Sequence, residues 1–188
     1  MDYLSFVRSE GSKKNSIFLL EGGDDFLLRS CLNNIKNGFL EDEVGLVRFD
    51  STDMEKNLES FFSEVFSYSL MSQNKLIVVS EFYPNADTVK KQFSDFGDLE
   101  DTKIVFINSK KKSNLSKIKD ICVVDCSSIP DSNYIDFLIK KAKRSNVTLT
   151  PQKQQVFKPQ SAEALRILSE FSEVRSSSLW DTGFSASH

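Results

Sequence analysis

The sequence has 188 residues, enough for one large domain or two small ones with a substantial core. Its 39% hydrophobic and 27% charged residues are ordinary for a globular chain, and net charge is only −3. No apolar run nears the ~20 residues that span a bilayer, and Met1–Ser9 lacks a signal-peptide core, so the chain reads as soluble, cytoplasmic and without a membrane partner.

The first β-type run is Ser16–Glu21 (SIFLLE), followed by the turn Gly22-Gly23. A helix is predicted from about Asp24 to Asn37, with Phe26, Leu27, Cys31, Leu32 and Ile35 on one face. A second strand, Gly45–Phe49, precedes a helix that Asp53 can cap and that carries Leu58, Phe61, Phe62, Val65 and Phe66. Leu76–Ser80 (LIVVS) is the third strand, Thr88–Phe96 a short helix, Ile104–Asn108 (IVFIN) the fourth strand and Val123–Cys126 the fifth. Several runs are continuously apolar, as expected of parallel strands covered on both faces. Strands alternating with helices predict an α/β domain with a mostly parallel sheet flanked by helices over residues 1–128. Sixteen phenylalanines should supply much of its buried area.

The pattern changes near Ser128–Asp131. Asp131–Ser145 and Ser161–Val174 have helical period, predicting a small helical module over residues 129–174. Residues 175–188 are Ser-rich and aperiodic, and a disordered tail is expected there.

Little of this supports catalysis. Cys31, Cys122 and Cys126 form no CxxC pair and the one His is terminal, so neither a zinc site nor a Ser/His/Asp triad can be assembled. The cysteines read as small core hydrophobes, and no metal or cofactor is expected. The turn Glu21-Gly22-Gly23-Asp24-Asp25 sits where a phosphate loop would, yet it lacks the GxxxxGK[ST] pattern and carries two carboxylates that repel phosphate. Those aspartates also fit the acidic pocket of a receiver, but Val79-Ser80-Glu81 offers no acceptor Asp. A receiver-like or flavodoxin-like interaction module stays open as the alternative. Charge is uneven: residues 1–64 balance to −6, residues 110–158 to +7. Lys110, Lys111, Lys112, Lys117, Lys119, Lys140, Lys141, Lys143 and Arg144 are candidates for facing DNA, or simply solvated loops and helix ends.

The segment Phe61–Glu81 carries more apolar residues at its helix end, Tyr68-Ser69-Leu70-Met71, than one helix face can bury. Leu70 and Met71 are either exposed anchors or core residues folded back under the sheet. The order "IFLLEGGDDFLL", "VRFD", "YSLMSQNKLIVV", "KIVFINSKKKSNLSKIKD" and "CVVDC" resembles the delta subunit family of bacterial DNA polymerase III, over roughly Ser16 to Phe171. Gly22, Asp24, Phe26 and Leu27 match the family's first turn, Ser69-Leu70-Met71 its Ser-Leu-Phe type motif with Met in place of Phe, and Asn133–Pro151 the start of its helical lid. The resemblance implies an AAA+-like domain without ATPase activity that opens a sliding clamp during DNA replication. It further implies Tyr68, Leu70 and Met71 as clamp-binding residues, with the other clamp-loader (ATPase) subunits and primed DNA as partners. Family members continue into a C-terminal helical collar that assembles a pentamer, and this sequence ends before it.

Overall fold

A computed structural model of the chain describes residues 1–9, 14–41, 43–68, 72–93, 96, 99 and 101–129. The chain divides between Ser128 and Ile129, and apart from Ile129 the described residues all belong to the first unit. The helical module expected over 129–174 and the tail over 175–188 lie outside the described residues.

Five strands form one sheet: β1 (Ile17–Glu21), β2 (Leu46–Phe49), β3 (Lys75–Ser80), β4 (Thr102–Asn108) and β5 (Cys122–Asp125), in the order β2-β3-β4-β1-β5. Every pairing is parallel, with Ile17 opposite Ile104, Phe18 opposite Cys122, Leu46 opposite Leu76 and Ile77 opposite Ile104. The continuously apolar runs thus occupy both faces of a covered sheet, the expected arrangement for a parallel α/β domain. Receiver- and flavodoxin-like sheets are ordered 2-1-3-4-5, with β1 between β2 and β3. Here β1 lies between β4 and β5, so the alternative expectation of such a module is set aside.

Alternating strand residues point to opposite faces. On one face Leu19, Ile77, Val79, Ile104 and Phe106 meet Met54 of α3 (Ser51–Lys56), Phe61 and Val65 of α4 (Leu58–Phe66), and Val89 of α5 (Ala86–Gln92), with Phe93 and Phe96 closing the layer. On the other, Phe6 of α1 (Tyr3–Arg8) meets Phe18 edge-on at 6.1 Å, and Cys31 of α2 (Asp25–Asn37) lies against Cys126. The phenylalanines form a continuous ring network: Phe61 contacts Phe49, Phe62, Phe93, Phe96 and Phe106 at 5.2–6.5 Å. The cysteines are all buried and unbridged; the Cys126 thiol beside it, and burial, push the Cys31 thiol far above its ordinary value.

Two local expectations are corrected. Asp53 does not cap the helix that carries Phe61. Asp50 caps α3, accepting from the Asp53 amide at 2.9 Å, while the Asp53 carboxylate accepts from the Asp50 amide at 3.0 Å. This reciprocal box places Asp53 inside the first turn. The chain then breaks at Asn57, whose side chain caps α4. The short helix α1, where no helix is expected from the sequence, buries Tyr3, Leu4 and Phe6.

Candidate functional site

The chain leaves β1 toward β2 at one edge and leaves β4 toward β5 on the other side of β1. Ligands of open parallel sheets bind outside the carboxyl ends of strands at such a reversal. In this chain that crevice is taken up by the protein's own groups. Asp24 caps α2 and accepts from the Phe26 and Leu27 amides at 2.9 and 3.1 Å, so the donors a phosphate would use already serve a carboxylate. Gly22, at φ +148°, lets the turn lie flat on β5's end: an added Cβ would stand 2.2 Å from the Cys126 carbonyl carbon.

The neighbouring strand ends are equally occupied. The buried Asn108 amide faces residue 82 like an extra rung of the ladder, accepting from the Phe82 N–H at 3.1 Å and donating to its carbonyl at 2.9 Å. Buried Glu21 accepts from the Ser113 amide at 2.5 Å, and Glu81 from the Ser109 amide at 2.9 Å. Both ends of the loop after β4 are thus held by carboxylates. Glu81 occupies the left-handed region at φ +57°, a conformation that costs a non-glycine residue roughly 1–2 kcal/mol. Its amide bond to the Ile107 carbonyl at 2.8 Å and its carboxylate bonds to Ser109 and Tyr83 hold it there. Burial opposes its charge, but the Ser109 and Tyr83 hydrogen bonds and the Lys110 ammonium outweigh that and keep the carboxyl below its ordinary value. Among the described residues no three His, Cys, Asp or Glu side chains gather as a metal site.

The second region is the end of α4. Phe61 and Val65 fill the core, whereas Phe66 and Tyr68 are 59% and 93% exposed, and Phe62 stacks on Phe66 at 6.5 Å and 12°. The helix therefore changes from a buried to an exposed aromatic in little more than one turn. Leu70 and Met71 follow Tyr68 and lie outside the described residues. Beyond them Ser72 and Asn74 lead into β3, with the Asn74 amide donating to the Phe39 carbonyl at 2.8 Å.

Of the basic candidates, Lys110, Lys111 and Lys112 share the loop after β4, Lys117 stands on a 3-10 turn (Asn114–Lys117) and Lys119 just beyond, all exposed. The first three have counterparts in their own fold. Lys110 pairs with Glu81 at 4.0 Å, Lys111 lies over the Tyr83 ring at 5.0 Å, and Lys112 helps the Ser127 hydrogen bonds hold Asp125 below its ordinary value. Lys140, Lys141, Lys143 and Arg144 lie outside the described residues.

Sequence reasoning missed the roles of Glu21, Glu81, Asn108 and Lys75. The signal was a polar residue bounding an otherwise apolar strand in each case. Such residues are commonly taken as strand-end solubility, yet here they are buried or hydrogen-bonded within the fold.

No protein-family model matches the sequence, and no curated protein matches it. Solved structures do. The chain is similar to the Bacillus subtilis DNA clamp loader delta protein at a TM-score of 0.63 and 14% identity, covering 95% of this chain and 58% of that one. It is also similar to a DNA polymerase III gamma subunit-related protein of Thermotoga maritima, at a TM-score of 0.50 and 11% identity, covering 92% and 57%. The chain thus spans under two thirds of either protein. No helix among the described residues is long and apolar enough to cross a membrane. At these identities the likeness establishes the fold: an AAA+-like α/β domain, a five-stranded parallel sheet flanked by helices.

Proposed function

We propose that this chain is a delta-type clamp-loader subunit that binds a sliding clamp with the exposed end of α4 and opens it for loading onto primed DNA. The observation that carries the reading is the abrupt exposure of Phe66 and Tyr68, at and just beyond the end of a helix whose core face is already filled by Phe61 and Val65. A hydrophobic end beside a rigid sheet suits insertion into an apolar pocket. Tyr68, Leu70 and Met71 are its anchors, and Phe66 widens the contact. The resemblance of the first domain to a clamp loader delta protein in fold supports the same assignment.

In this reading the AAA+-like domain performs no ATP hydrolysis; the Asp24 cap and the internally bonded strand ends favour a structural use of the crevice. Residues 129–174 serve as the lid-like module, and the partners are the ATPase subunits of the loader. Lys110–Lys112, Lys117 and Lys119, with Lys140, Lys141, Lys143 and Arg144, would follow DNA phosphates only within the assembled complex, with the steep salt dependence of such contacts.

The test is binding of the chain to a sliding clamp from the same source, comparing wild type with the Leu70→Ala, Met71→Ala double variant. An apolar anchor contributes on the order of 2 kcal/mol when truncated, so two should weaken binding by roughly a hundredfold or beyond. Melting temperature should stay unchanged. A large fall in melting temperature, with clamp affinity retained per folded molecule, would return both residues to the core.

A further inference from the structure

The first residue of β3 is a lysine where every following position to Val79 is apolar, and it is buried, with 4% of its surface exposed. Burying an ammonium is costly unless all its donors are met. Those of Lys75 are: Nζ donates to the carbonyl oxygens of Glu64 and, at 2.5 Å, Ser67, and to Ser67 Oγ at 3.0 Å, with Glu64 Oε1 at 3.3 Å. These are last-turn and C-cap groups of α4; the Glu64 carbonyl also accepts from the Ser67 amide at 3.4 Å and the Ser67 hydroxyl at 3.0 Å, so the ammonium adds to a helix end that its own cap satisfies only in part. A cation there also faces the negative end of the helix dipole.

The same lysine is fixed to the sheet. Its amide donates to the Asp101 carbonyl at 2.8 Å, and Leu76 donates to the Gly45 carbonyl at 2.8 Å. Ser67 and Lys75 therefore close the base of the segment that contains Tyr68, Leu70 and Met71. The Asn74 bond to Phe39 fastens its returning limb. Gly45 lies so close to that limb that a Cβ would stand 2.2 Å from the Asn74 carbonyl oxygen.

We infer that Lys75 is a positioning residue for partner docking: its ammonium ties the end of α4 to β3 and so presents the exposed Phe66 and Tyr68 in a fixed orientation. The inference rests on the docking reading above and adds to it the residue that pre-orders the contact. Fixing a loop in its bound arrangement removes an ordering cost from association. Lys75 touches no partner itself; it acts through Ser67 and Glu64.

The experiment measures affinity of the full chain for a sliding clamp, at a temperature where each variant is more than nine-tenths folded. Lys75→Met keeps the aliphatic stem and removes the ammonium. Val89→Ala, in the core on α5 and not among the partners of Lys75, serves as a destabilised control. Lys75→Met should weaken clamp binding about tenfold or more, Glu64→Gln with Ser67→Ala should weaken it severalfold, and Val89→Ala should leave it within twofold. If Lys75→Met does not fold, the Glu64→Gln, Ser67→Ala pair decides, since the main-chain contacts remain. Affinity within twofold of wild type, for Lys75→Met or for that pair when it decides, overturns the role of Lys75 alone. A wild-type chain that fails to bind any clamp overturns the docking reading and this role with it.

Discussion

Two phenylalanines of α4 should differ sharply on removal, although they lie little more than one turn apart. Phe61 is fully buried and its ring meets five others, whereas Phe66 is more than half exposed and stacks only on Phe62 among the ring contacts of the described residues. Phe61→Ala leaves a cavity between the sheet rings Phe49 and Phe106 and the rings of Phe93 and Phe96, which typically costs about 3–5 kcal/mol. Unfolding entropy of about 2.1 cal/mol/K per residue, over the Met1–Ser128 unit, comes to roughly 0.27 kcal/mol/K. A loss of about 4 kcal/mol then lowers the melting temperature by about 15 °C. Phe66→Ala removes one stacked contact and some exposed area, so about 1 kcal/mol or less and a shift under about 4 °C are expected. Scanning calorimetry or thermal circular dichroism on the two variants measures both shifts. A shift for Phe66→Ala equal to that of Phe61→Ala would refute the assignment of one ring to the core and the other to the surface.

Three further outcomes follow from the capping and titration geometry. Asp24→Ala removes the side-chain acceptor for two helix amides and should cost about 1 kcal/mol in urea unfolding, while Asp24→Asn, which keeps an acceptor, recovers most of it. Tyr3 is buried, which raises its phenol to about 12 against the Ser30 hydrogen bond. The folded state therefore keeps a proton that the unfolded chain loses above its ordinary value of about 10. Stability should be whole below about pH 10 and fall between there and about pH 12, by an amount on the order of 2 kcal/mol that Tyr3→Phe abolishes. Glu81 has the opposite sign: its depressed folded value means its contribution is present above the ordinary glutamate value and is lost as pH falls through the folded one. The acid limb of stability below about pH 4 should be shallower in Glu81→Gln, as followed by urea midpoints from pH 6 to pH 2.

The strands were legible because burial on both faces leaves an unbroken apolar run. IFLLE, KLIVVS and TKIVFIN all fall within one or two residues of the expected bounds, as does the edge strand LVRF, which is only partly buried and carries the exposed Arg48. The α2 cap at Asp24 was legible for the same local reason, an Asp ahead of an amphipathic stretch. The break at Asn57 was not, because Met54, Phe61 and Val65 face the same layer from two helices and mimic one continuous stripe. Strand order was also hidden: nothing local in Ile17–Glu21 says that its neighbours are β4 and β5. At the candidate site, the missing phosphate-loop residues could be seen in the sequence. The pairings of Asn108 with Phe82 and of Lys75 with the end of α4 could not, since each joins segments that only the sheet brings together.

The place of β1 between β4 and β5 also bears on how the chain is made. Its innermost pairing begins with Ile17 opposite Ile104, and its other neighbour starts at Cys122. During synthesis at about 5–20 residues per second, the apolar strand IFLL waits roughly 4–17 s after leaving the peptidyl-transferase centre before its first partner is polymerised. Strands β2, β3 and β4, by contrast, pair with sequence neighbours and can associate as they appear. The nascent chain thus carries this interior strand unpaired through most of translation of the domain, and Phe18-Leu19-Leu20 is an apolar segment that a holdase chaperone would meet.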